Sequence, residues 1–352
     1  MRRIRIVGAG LSGLSAAITL AKAGRSVDVF EKNQDVGKRF RGDIEGLENW
    51  SEKEDIIDEF KRMNIAVNFD CDPFSTLTVT NGSKSKEIKF KKPLFYLVKR
   101  GSMSGSLDYG LKEQALSLGV CIHFGKTIPQ DQADIAATGP ASNEIAGIDK
   151  GIAFKTTMRD TAVLLLNEKA AFKGYAYLLV TKGYGCMCTV VLNKLTSVAS
   201  CFEETKKIFS TLVDLDMQEP KKVGGIGRFS AKNVFKKGKT LFVGEAAGLQ
   251  DFLWGFGMRY AVTSGFLAAR SILDKKDYQK AAQEYFNHKI KASITNRYLW
   301  EKCGRIRYSL MIENRRIMRA ILYRMHRYNF IQKMVYPLAV SYLRKSYPGL
   351  RL

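Results

Sequence analysis

Three glycines and one carboxylate near the start of the chain have the types and spacing of a phosphate-binding turn. Gly8, Gly10 and Gly13 follow the apolar run "IRIV", and Glu31 ends a second run, "SVDVF", about 20 residues further on. The first glycine permits a tight turn, the second lets the backbone approach a pyrophosphate, and the third lets the next helix lie close to the strand. A carboxylate placed like Glu31 accepts hydrogen bonds from ribose hydroxyls. The spacing predicts a dinucleotide-binding site.

The elements that must position these residues follow from the flanking sequence. Residues 4–7 predict a buried strand, and residues 11–23 predict a helix whose three alanines allow close packing on a sheet. The N-terminus of that helix presents free N–H groups and a positive dipole end to the phosphates. Gly24 is predicted to cap its C-terminus. The expected cofactor contacts here also include Leu11, Ser12 and Lys32.

Composition limits the class of protein. The chain has 352 residues, 45% of them apolar, which is enough for two interleaved domains because single cores stop growing at roughly 250 to 300 residues. Its apolar runs fall short of the roughly 20 residues that a membrane-spanning helix needs. The N-terminus enters the first strand directly, without a signal-peptide pattern, which predicts a cytoplasmic protein.

Charge and cysteine usage point to partners and redox state. The net charge of +23 predicts attraction to nucleic acid, an anionic membrane surface or an acidic redox protein. The six cysteines lack a disulfide-framework spacing, so we expect free thiols. Cys186 and Cys188 fall on one face of a strand, where apolar packing is expected. With three histidines in the chain, no metal site is expected.

A second glycine-rich stretch occupies residues 239–273, where an apolar strand leads through a glycine turn into a helix with a small-residue face. Backbone N–H groups at such a helix N-terminus stabilise an anion. The stretch resembles the C-terminal flavin motif of the p-hydroxybenzoate-hydroxylase-like flavoproteins, with Glu245 in place of the usual aspartate. The cofactor contacts that this resemblance implies are Gly244, Glu245, Gly255, Gly257 and Met258. The resemblance implies that Glu245 binds the ribityl hydroxyls of FAD and that the turn meets the pyrimidine edge of the flavin.

Other residues match the same class in chain order. Thr138 and Gly139 resemble its ATG turn, and Arg100 stands where the class has an arginine beside the flavin. Arg41 and Gly42 occupy the place where reductases of the class tend to have Cys-Gly. These matches imply further contacts to FAD.

Two stretches of the middle of the chain resemble the geranylgeranyl reductase branch of this class. Residues 174–191 contain the aromatic pair Tyr175 and Tyr177 followed by a strand, and residues 223–229 resemble the strand that leads back to the flavin motif. The resemblance implies Tyr175 as a catalytic residue and Tyr177 as a substrate contact. Trp254 is the other expected substrate contact.

The resemblance also implies a reaction, the transfer of hydride from reduced FAD to carbon–carbon double bonds of a polyprenyl chain. The protein must then provide a proton, for which Asp43, Glu45 and Tyr175 are candidates. The electron donor is left open between NAD(P)H and an acidic ferredoxin, which would suit the surface charge.

The predicted fold is α/β, with a Rossmann-like FAD-binding domain interleaved with an antiparallel β-sheet substrate domain and followed by a basic C-terminal helical segment. Alternating apolar residues over 151–230 predict the sheet, and a hairpin around Asn81 is expected to join it. The predicted FAD-binding domain comprises 1–70, 95–150 and 232–275. The predicted substrate domain comprises 71–94 and 151–231, and the helical segment comprises 276–352.

Two other functions are open. One is an FAD-dependent monooxygenase on the same fold, although such hydroxylases usually carry Asp-Gly where this chain has Thr138-Gly139. The other is a flavin-independent module that binds anionic membranes, because residues 288–352 hold 15 Lys or Arg and two acids. Nucleic acid is not expected, since no recognised binding motif accompanies the charge.

One segment of this basic region has an amphipathic helical pattern. The apolar face of that predicted helix contains Met318, Ile321, Leu322 and Met325. Either this face lies on lipid or it packs on the substrate domain.

Overall fold

The computed structural model describes residues 2–140, 145–230, 233–303, 308, 312–324 and 326–347. The strands described are β1 (Ile4–Val7), β2 (Val27–Glu31), β3 (Ile44–Glu48), β4 (Cys71–Phe74), β5 (Thr76–Thr80), β6 (Ser85–Lys89), β7 (Phe95–Lys99), β8 (Cys121–Phe124), β9 (Ile135–Ala136), β10 (Gly147–Lys155), β11 (Thr161–Leu165), β12 (Tyr175–Thr181), β13 (Tyr184–Leu192), β14 (Gln218–Val223), β15 (Ile226–Gly227), β16 (Lys236–Lys237) and β17 (Thr240–Phe242). The helices described are α1 (Leu11–Lys22), α2 (Ile56–Arg62), α3 (Leu107–Ser117), α4 (Val198–Leu212), α5 (Met258–Asp274), α6 (Tyr278–Lys302), α7 (Arg315–Arg324) and α8 (Phe330–Ser346).

The first sheet has the strand order β16-β17-β9-β1-β2-β8 and carries the predicted nucleotide turn. β1 pairs in parallel with both β2 and β9, and α1 connects β1 to β2. Gly8 makes the turn at φ +100°, and a Cβ there would lie 2.2 Å from the Ala137 carbonyl oxygen. A Cβ at Gly13 would lie 2.0 Å from the Gly8 oxygen. The predicted strand–turn–helix is therefore confirmed, with Gly24 in the left-handed region just after α1.

The helix after the second glycine-rich stretch packs directly on α1. A Cβ at Gly265 would lie 2.1 Å from the Ser12 backbone oxygen. The Ser15 hydroxyl donates to the Val262 carbonyl at 2.7 Å, and the Ser264 hydroxyl accepts from the Gly244 N–H at 2.9 Å. The small-residue face predicted for α5 is thus what lets the two helices approach this closely.

A larger sheet has the order β14-β10-β13-β12-β11-β5-β6, with β15 beside β10. Its pairs are antiparallel except β5 with β11, which is parallel. The predicted hairpin β5–β6 joins this sheet as expected. The predicted boundary between residues 150 and 151 lies inside β10, whose residues 147–155 all pair with β13. Residues 71–74 form β4, which belongs instead to a small sheet of order β3-β7-β4.

The two faces of the larger sheet pack on different partners, because side chains alternate along each strand. One face holds Leu178 and Met187 and is covered by α4 through Phe202 and Phe209. The opposite face belongs to a second apolar cluster, whose members include Tyr175, Tyr177, Cys186, Cys188, Trp254 and Trp300. All six cysteines are free, as predicted.

The basic helix α7 packs two residues of its predicted apolar face on the body of the protein. Met318 is fully buried and Leu322 is 5% exposed, both in the second apolar cluster. The interpretation of this face as lipid-binding is therefore wrong for these two residues, and packing on the substrate sheet is right. The side chains of Ile321 and Met325 lie outside the described residues.

The last described helix, α8, starts with a capping box. The Asn329 side chain accepts from the Gln332 N–H at 3.0 Å, and the Gln332 side chain accepts from the Asn329 N–H at 2.9 Å. Ala339 and Leu343 on one side of α8 are fully buried against the body. Among the described helices, none has the length and apolar character needed to cross a bilayer.

Candidate functional site

Glu31 ends β2 beside the first glycine turn. It is 8% exposed, and its Oε2 accepts from the Ala9 N–H at 2.9 Å. Its Oε1 accepts from the backbone N–H and the side-chain amide of Asn33, at 2.9 and 2.7 Å. The carboxylate is therefore fixed at the edge of the turn, where the spacing places the ribose contact.

The turn fits a pyrophosphate. A Cβ at Gly10 would meet no atom within 4 Å, and none would at Gly139 across the turn. No side chain caps the N-terminus of α1, where Leu11 and Ser12 lie buried in the first turn. The backbone N–H groups of that turn therefore have no capping side chain as acceptor, the arrangement that binds phosphate at helix N-termini.

Two other predicted contacts lie at the exposed margin of this turn. Lys32 is exposed just after Glu31. Thr138 is exposed as well, and its hydroxyl accepts from the Gln130 side-chain amide at 2.8 Å.

Glu245, in the second glycine stretch, forms a two-pronged ion pair with Arg39. Both distances between guanidinium nitrogens and carboxylate oxygens are 3.1 Å. Burial alone would raise the pKa of Glu245, but attraction to Arg39 and then to Arg100 and Arg228 lowers it. Glu245 is thus held as a carboxylate, the form that accepts hydrogen bonds from hydroxyls. The Arg228 Nε is buried with no hydrogen-bond partner among the described residues, which leaves a donor for a ligand.

Sequence reasoning missed Arg39. The sequence did indicate a basic cluster here, since three basic residues occur within "KRFR" after the nucleotide turn. The choice of Arg39 over its neighbours follows from a contact to a residue 206 positions away, which the sequence does not reveal.

Arg100 is 4% exposed and fully engaged with carboxylates. Its Nε and Nη2 donate to Asp108 at 2.9 and 3.0 Å, and its Nη1 donates to Glu45 at 2.9 Å. Burial opposes ionisation, but Asp108 and Glu45 together raise the pKa of Arg100. The Phe40 ring lies 4.0 Å from its guanidinium carbon. Arg100 therefore ties the α3 N-terminus to β3 as a fixed positive charge.

The turn at Arg41, Gly42 and Asp43 is built around the Asp43 carboxylate. Oδ1 of Asp43 accepts from the Arg41 N–H at 2.7 Å, and Gly42 takes φ +93°. The side chain of Arg41 is exposed, whereas Asp43 is 9% exposed. Burial raises the pKa of Asp43 more than these contacts lower it.

The flavin-type turn before α5 is fixed from two directions. The Asp251 carboxylate accepts from the Trp254 N–H at 2.6 Å, and the Asp251 carbonyl accepts from the Gly255 N–H at 2.9 Å. From the larger sheet, the Tyr175 hydroxyl donates to the Trp254 carbonyl. Gly255 takes φ +80°, which favours glycine, and no side chain caps α5 at Gly257 and Met258. The first N–H groups of α5 are thus presented by a rigid turn.

The three expected substrate and catalytic aromatics lie together. Ring centroids of Tyr175 and Trp254 are 5.3 Å apart, and those of Tyr175 and Tyr177 are 6.2 Å apart. Trp254 also packs edge-on against Trp300 at 5.0 Å. Burial raises the pKa of both tyrosines. The sheet and the turn therefore share one aromatic cluster.

Asp149 was not singled out from the sequence, although it lies on the same sheet face as Tyr175. The faces alternate, so position 149 of β10 points the same way as Ala153 in the second apolar cluster. Burial, and then the charges of Glu45 and Asp43, raise the pKa of Asp149 to about 6. The sequence feature that could have identified Asp149 is an acidic residue at an inward-facing position of a strand.

No group of three or more His, Cys, Asp or Glu side chains that could hold a metal ion occurs in the described part of the chain.

Comparisons with known proteins agree with this geometry. Residues 6–44 match the family of NAD(P)-binding Rossmann-like domains. A 4,4'-diapolycopene oxygenase from a Methylomonas species is 61% identical over 36 residues, which are 10% of this chain and 7% of that protein. The chain thus matches a small part of that relative's length.

Solved structures resemble the chain over nearly its whole length. A geranylgeranyl bacteriochlorophyll reductase-like protein from Thermoplasma acidophilum has a TM-score of 0.67 at 16% identity, covering 98% of this chain and 96% of that one. A flavin-dependent brominase has a TM-score of 0.67 at 15% identity, covering 98% and 100%.

The chain has the fold of the flavin-dependent oxidoreductases. Its first domain is a Rossmann-like domain of the FAD type, as predicted. This flavoprotein fold and the fit of the glycine turn support FAD as the cofactor.

Proposed function

We propose that this chain is an FAD-dependent reductase of carbon–carbon double bonds in a polyprenyl lipid or lipid precursor. The observation that carries the proposal is the character of the sheet face that meets the flavin-type turn. It presents Tyr175, Tyr177, Cys186 and Cys188, and Trp254 joins them from the turn. Such a wall suits an extended hydrocarbon, since each Å² of apolar surface removed from water contributes about 25 cal/mol.

The chain's own residues would hold the cofactor at the edge of this wall. The first glycine turn and Glu31 would bind its nucleotide half, and Glu245, held ionised by Arg39, would accept from its ribityl hydroxyls. When bound, FAD supplies the hydride chemistry. The uncapped N-terminus of α5 would offer positive N–H groups to the negative charge that develops when the cofactor is reduced.

Saturating one double bond adds two hydrogens, one transferred as hydride and one as a proton. We assign the proton to Asp149, because it is the carboxyl on the apolar sheet face and its raised pKa, about 6, lets it keep a proton under mildly acidic conditions. Tyr175, Asp43 and Glu45, the candidate donors from the sequence, stay predictions. The Tyr175 hydroxyl proton is directed to the Trp254 carbonyl, and Asp43 is held by the Arg41 N–H.

The electrons that reduce the cofactor would come from NAD(P)H or from an acidic ferredoxin. The net charge of +23 favours an acidic protein donor. Comparing the rates of flavin reduction by NADPH, NADH and a ferredoxin, each at low and high salt, would identify the donor, since protein donation should slow with salt.

The test of the reaction is an anaerobic turnover. The purified flavoprotein is reduced with dithionite and mixed with a geranylgeranyl-bearing lipid, and lipid mass and flavin absorbance are followed. A gain of two hydrogens per reduced double bond, with oxidised flavin returning in the absence of oxygen, supports the proposal. If the flavin stays reduced until air is admitted and the lipid then gains oxygen, the enzyme is a monooxygenase. If the protein binds no flavin, the assignment of the glycine turns is wrong.

A further inference from the structure

The most exposed large apolar side chains among the described residues lie together on one helix. Phe330 is 74% exposed, Ile331 66%, Met334 65% and Leu338 61%, all within the first nine residues of α8. The next in order, Tyr323, is 48% exposed. Single exposed apolar residues are ordinary, but a contiguous set on one helix indicates a binding surface.

Helix geometry places this set opposite the buried side of α8. Phe330, Met334 and Leu338 are spaced four apart and so form one stripe, with Ile331 beside it. The side that packs on the body carries Ala339 and Leu343, both fully buried. We call the exposed set, Phe330, Ile331, Met334 and Leu338, the α8 apolar face.

Positive charge surrounds this face. Lys333, Arg344 and Lys345 are exposed on the same helix. After Glu313 the chain contains nine Lys or Arg and no Asp or Glu. An apolar stripe flanked by basic residues is the pattern of a helix that lies in the headgroup region of an anionic bilayer.

We propose that the α8 apolar face docks the protein on an anionic lipid bilayer, with its basic neighbours on the headgroups. The charge selects this occupant. A second copy would bring two bodies of charge +23 together with no acid on either helix. The proposal does not depend on the reaction proposed above. It also moves the membrane contact from α7, where Met318 and Leu322 are buried, to α8.

The test is vesicle flotation of the full-length holoprotein with phosphatidylglycerol-containing vesicles and with pure phosphatidylcholine vesicles. We expect binding to the anionic vesicles that weakens with salt. The double variant Met334→Glu/Leu338→Glu should lower that partitioning at least about tenfold, since two apolar side chains that would enter the bilayer are replaced by charges. Leu116→Glu, at a 43% exposed position on α3, is the matched control and should bind as the wild type does. Thermal unfolding and flavin content verify that each variant is folded.

A single variant tests the same proposal in case the double variant does not fold. Met334→Trp should show a blue shift of its emission on adding anionic vesicles and quenching by brominated lipid. The proposal is overturned if the double variant binds like the wild type, or if neutral and anionic vesicles bind equally. It is also overturned if the wild type is an oligomer that the double variant dissociates while vesicle binding persists, since a second copy would then cover the face.

Discussion

The Tyr175 hydroxyl, at the start of β12, donates its hydrogen bond to the backbone carbonyl of Trp254, in the turn that precedes α5. This contact links the larger sheet to the turn that carries Gly255. The bond is partly shielded from water, so its loss leaves the carbonyl without that donor.

We expect Tyr175→Phe to lower the free energy of unfolding by about 1 kcal/mol and to weaken FAD binding by loosening the turn. Tyr177→Phe, on the neighbouring inward position, is the control and should retain wild-type FAD affinity. Urea unfolding and fluorescence titration of the apoprotein with FAD measure the two effects. Equal FAD affinities for both variants would show that the turn is held without Tyr175.

The Glu245–Arg39 pair should govern cofactor affinity. Glu245→Gln removes the negative charge and leaves Arg39 uncompensated, so we expect FAD to bind about tenfold more weakly, the loss typical of one charge-assisted hydrogen bond. Arg39→Gln should give a smaller loss, and the double variant less than the sum of both, because the two residues are coupled. Strictly additive losses in apoprotein titrations would contradict this pairing.

Substitutions at two glycines should distinguish helix packing from cofactor binding. Gly265→Ala places a Cβ 2.1 Å from the Ser12 oxygen, so we expect a loss of roughly 1–3 kcal/mol in stability from overpacking. Gly10→Ala adds a Cβ that meets nothing within 4 Å in the protein. It should leave apoprotein stability near that of the wild type while lowering FAD affinity. If Gly10→Ala binds FAD normally, the pyrophosphate does not approach this turn.

Glu48 should make stability depend on pH. It is 3% exposed, and burial raises its pKa from 4.5 to about 7. The folded state therefore holds the proton more tightly than the unfolded state, and stability falls as pH rises from 4.5 towards 7. The full loss is about 3 kcal/mol. Glu48→Gln keeps an acceptor for Ser51, so its unfolding free energy should lack this decline. Parallel pH profiles for both proteins would refute the assignment.

Asp149 should set the alkaline limb of the turnover profile, where the rate declines as pH rises. With a pKa of about 6, its protonated fraction falls as pH rises through that value, and the rate of double-bond reduction should fall with it. Asp149→Asn should slow reduction and lose this inflection, while dithionite reduction of the bound flavin stays unchanged. Single-turnover rates between pH 5 and 8 test this. An inflection that survives in Asp149→Asn would assign the proton to another group.

The sequence predicted those parts of the fold that local sterics dictate. The positions of Gly8 and Gly13 require glycine because a neighbouring backbone oxygen lies where a Cβ would stand. The small face of α5 was likewise readable, since its spacing is that of one helix face.

Other features depend on pairings across the chain. Segments far apart in sequence meet where β5 pairs in parallel with β11 and where Arg39 pairs with Glu245. The same is true of Met318, which is buried in the second apolar cluster. An amphipathic pattern shows that a helix has an apolar face but not which surface covers it. For this reason the sequence of α7 was equally consistent with binding lipid and with packing on the protein. The exposed face of α8 can be identified only from the structure.

The capping box at Asn329 and Gln332 bears on how α8 would meet a surface. A helix closed at its start by two reciprocal hydrogen bonds, and held by buried residues along one side, is already ordered in water. Adsorption would then carry no coil-to-helix transition, and its conformational entropy cost would be confined to a few side-chain rotamers. The far-UV circular dichroism of the protein should therefore be the same with and without vesicles, unlike that of peptides that fold as they bind.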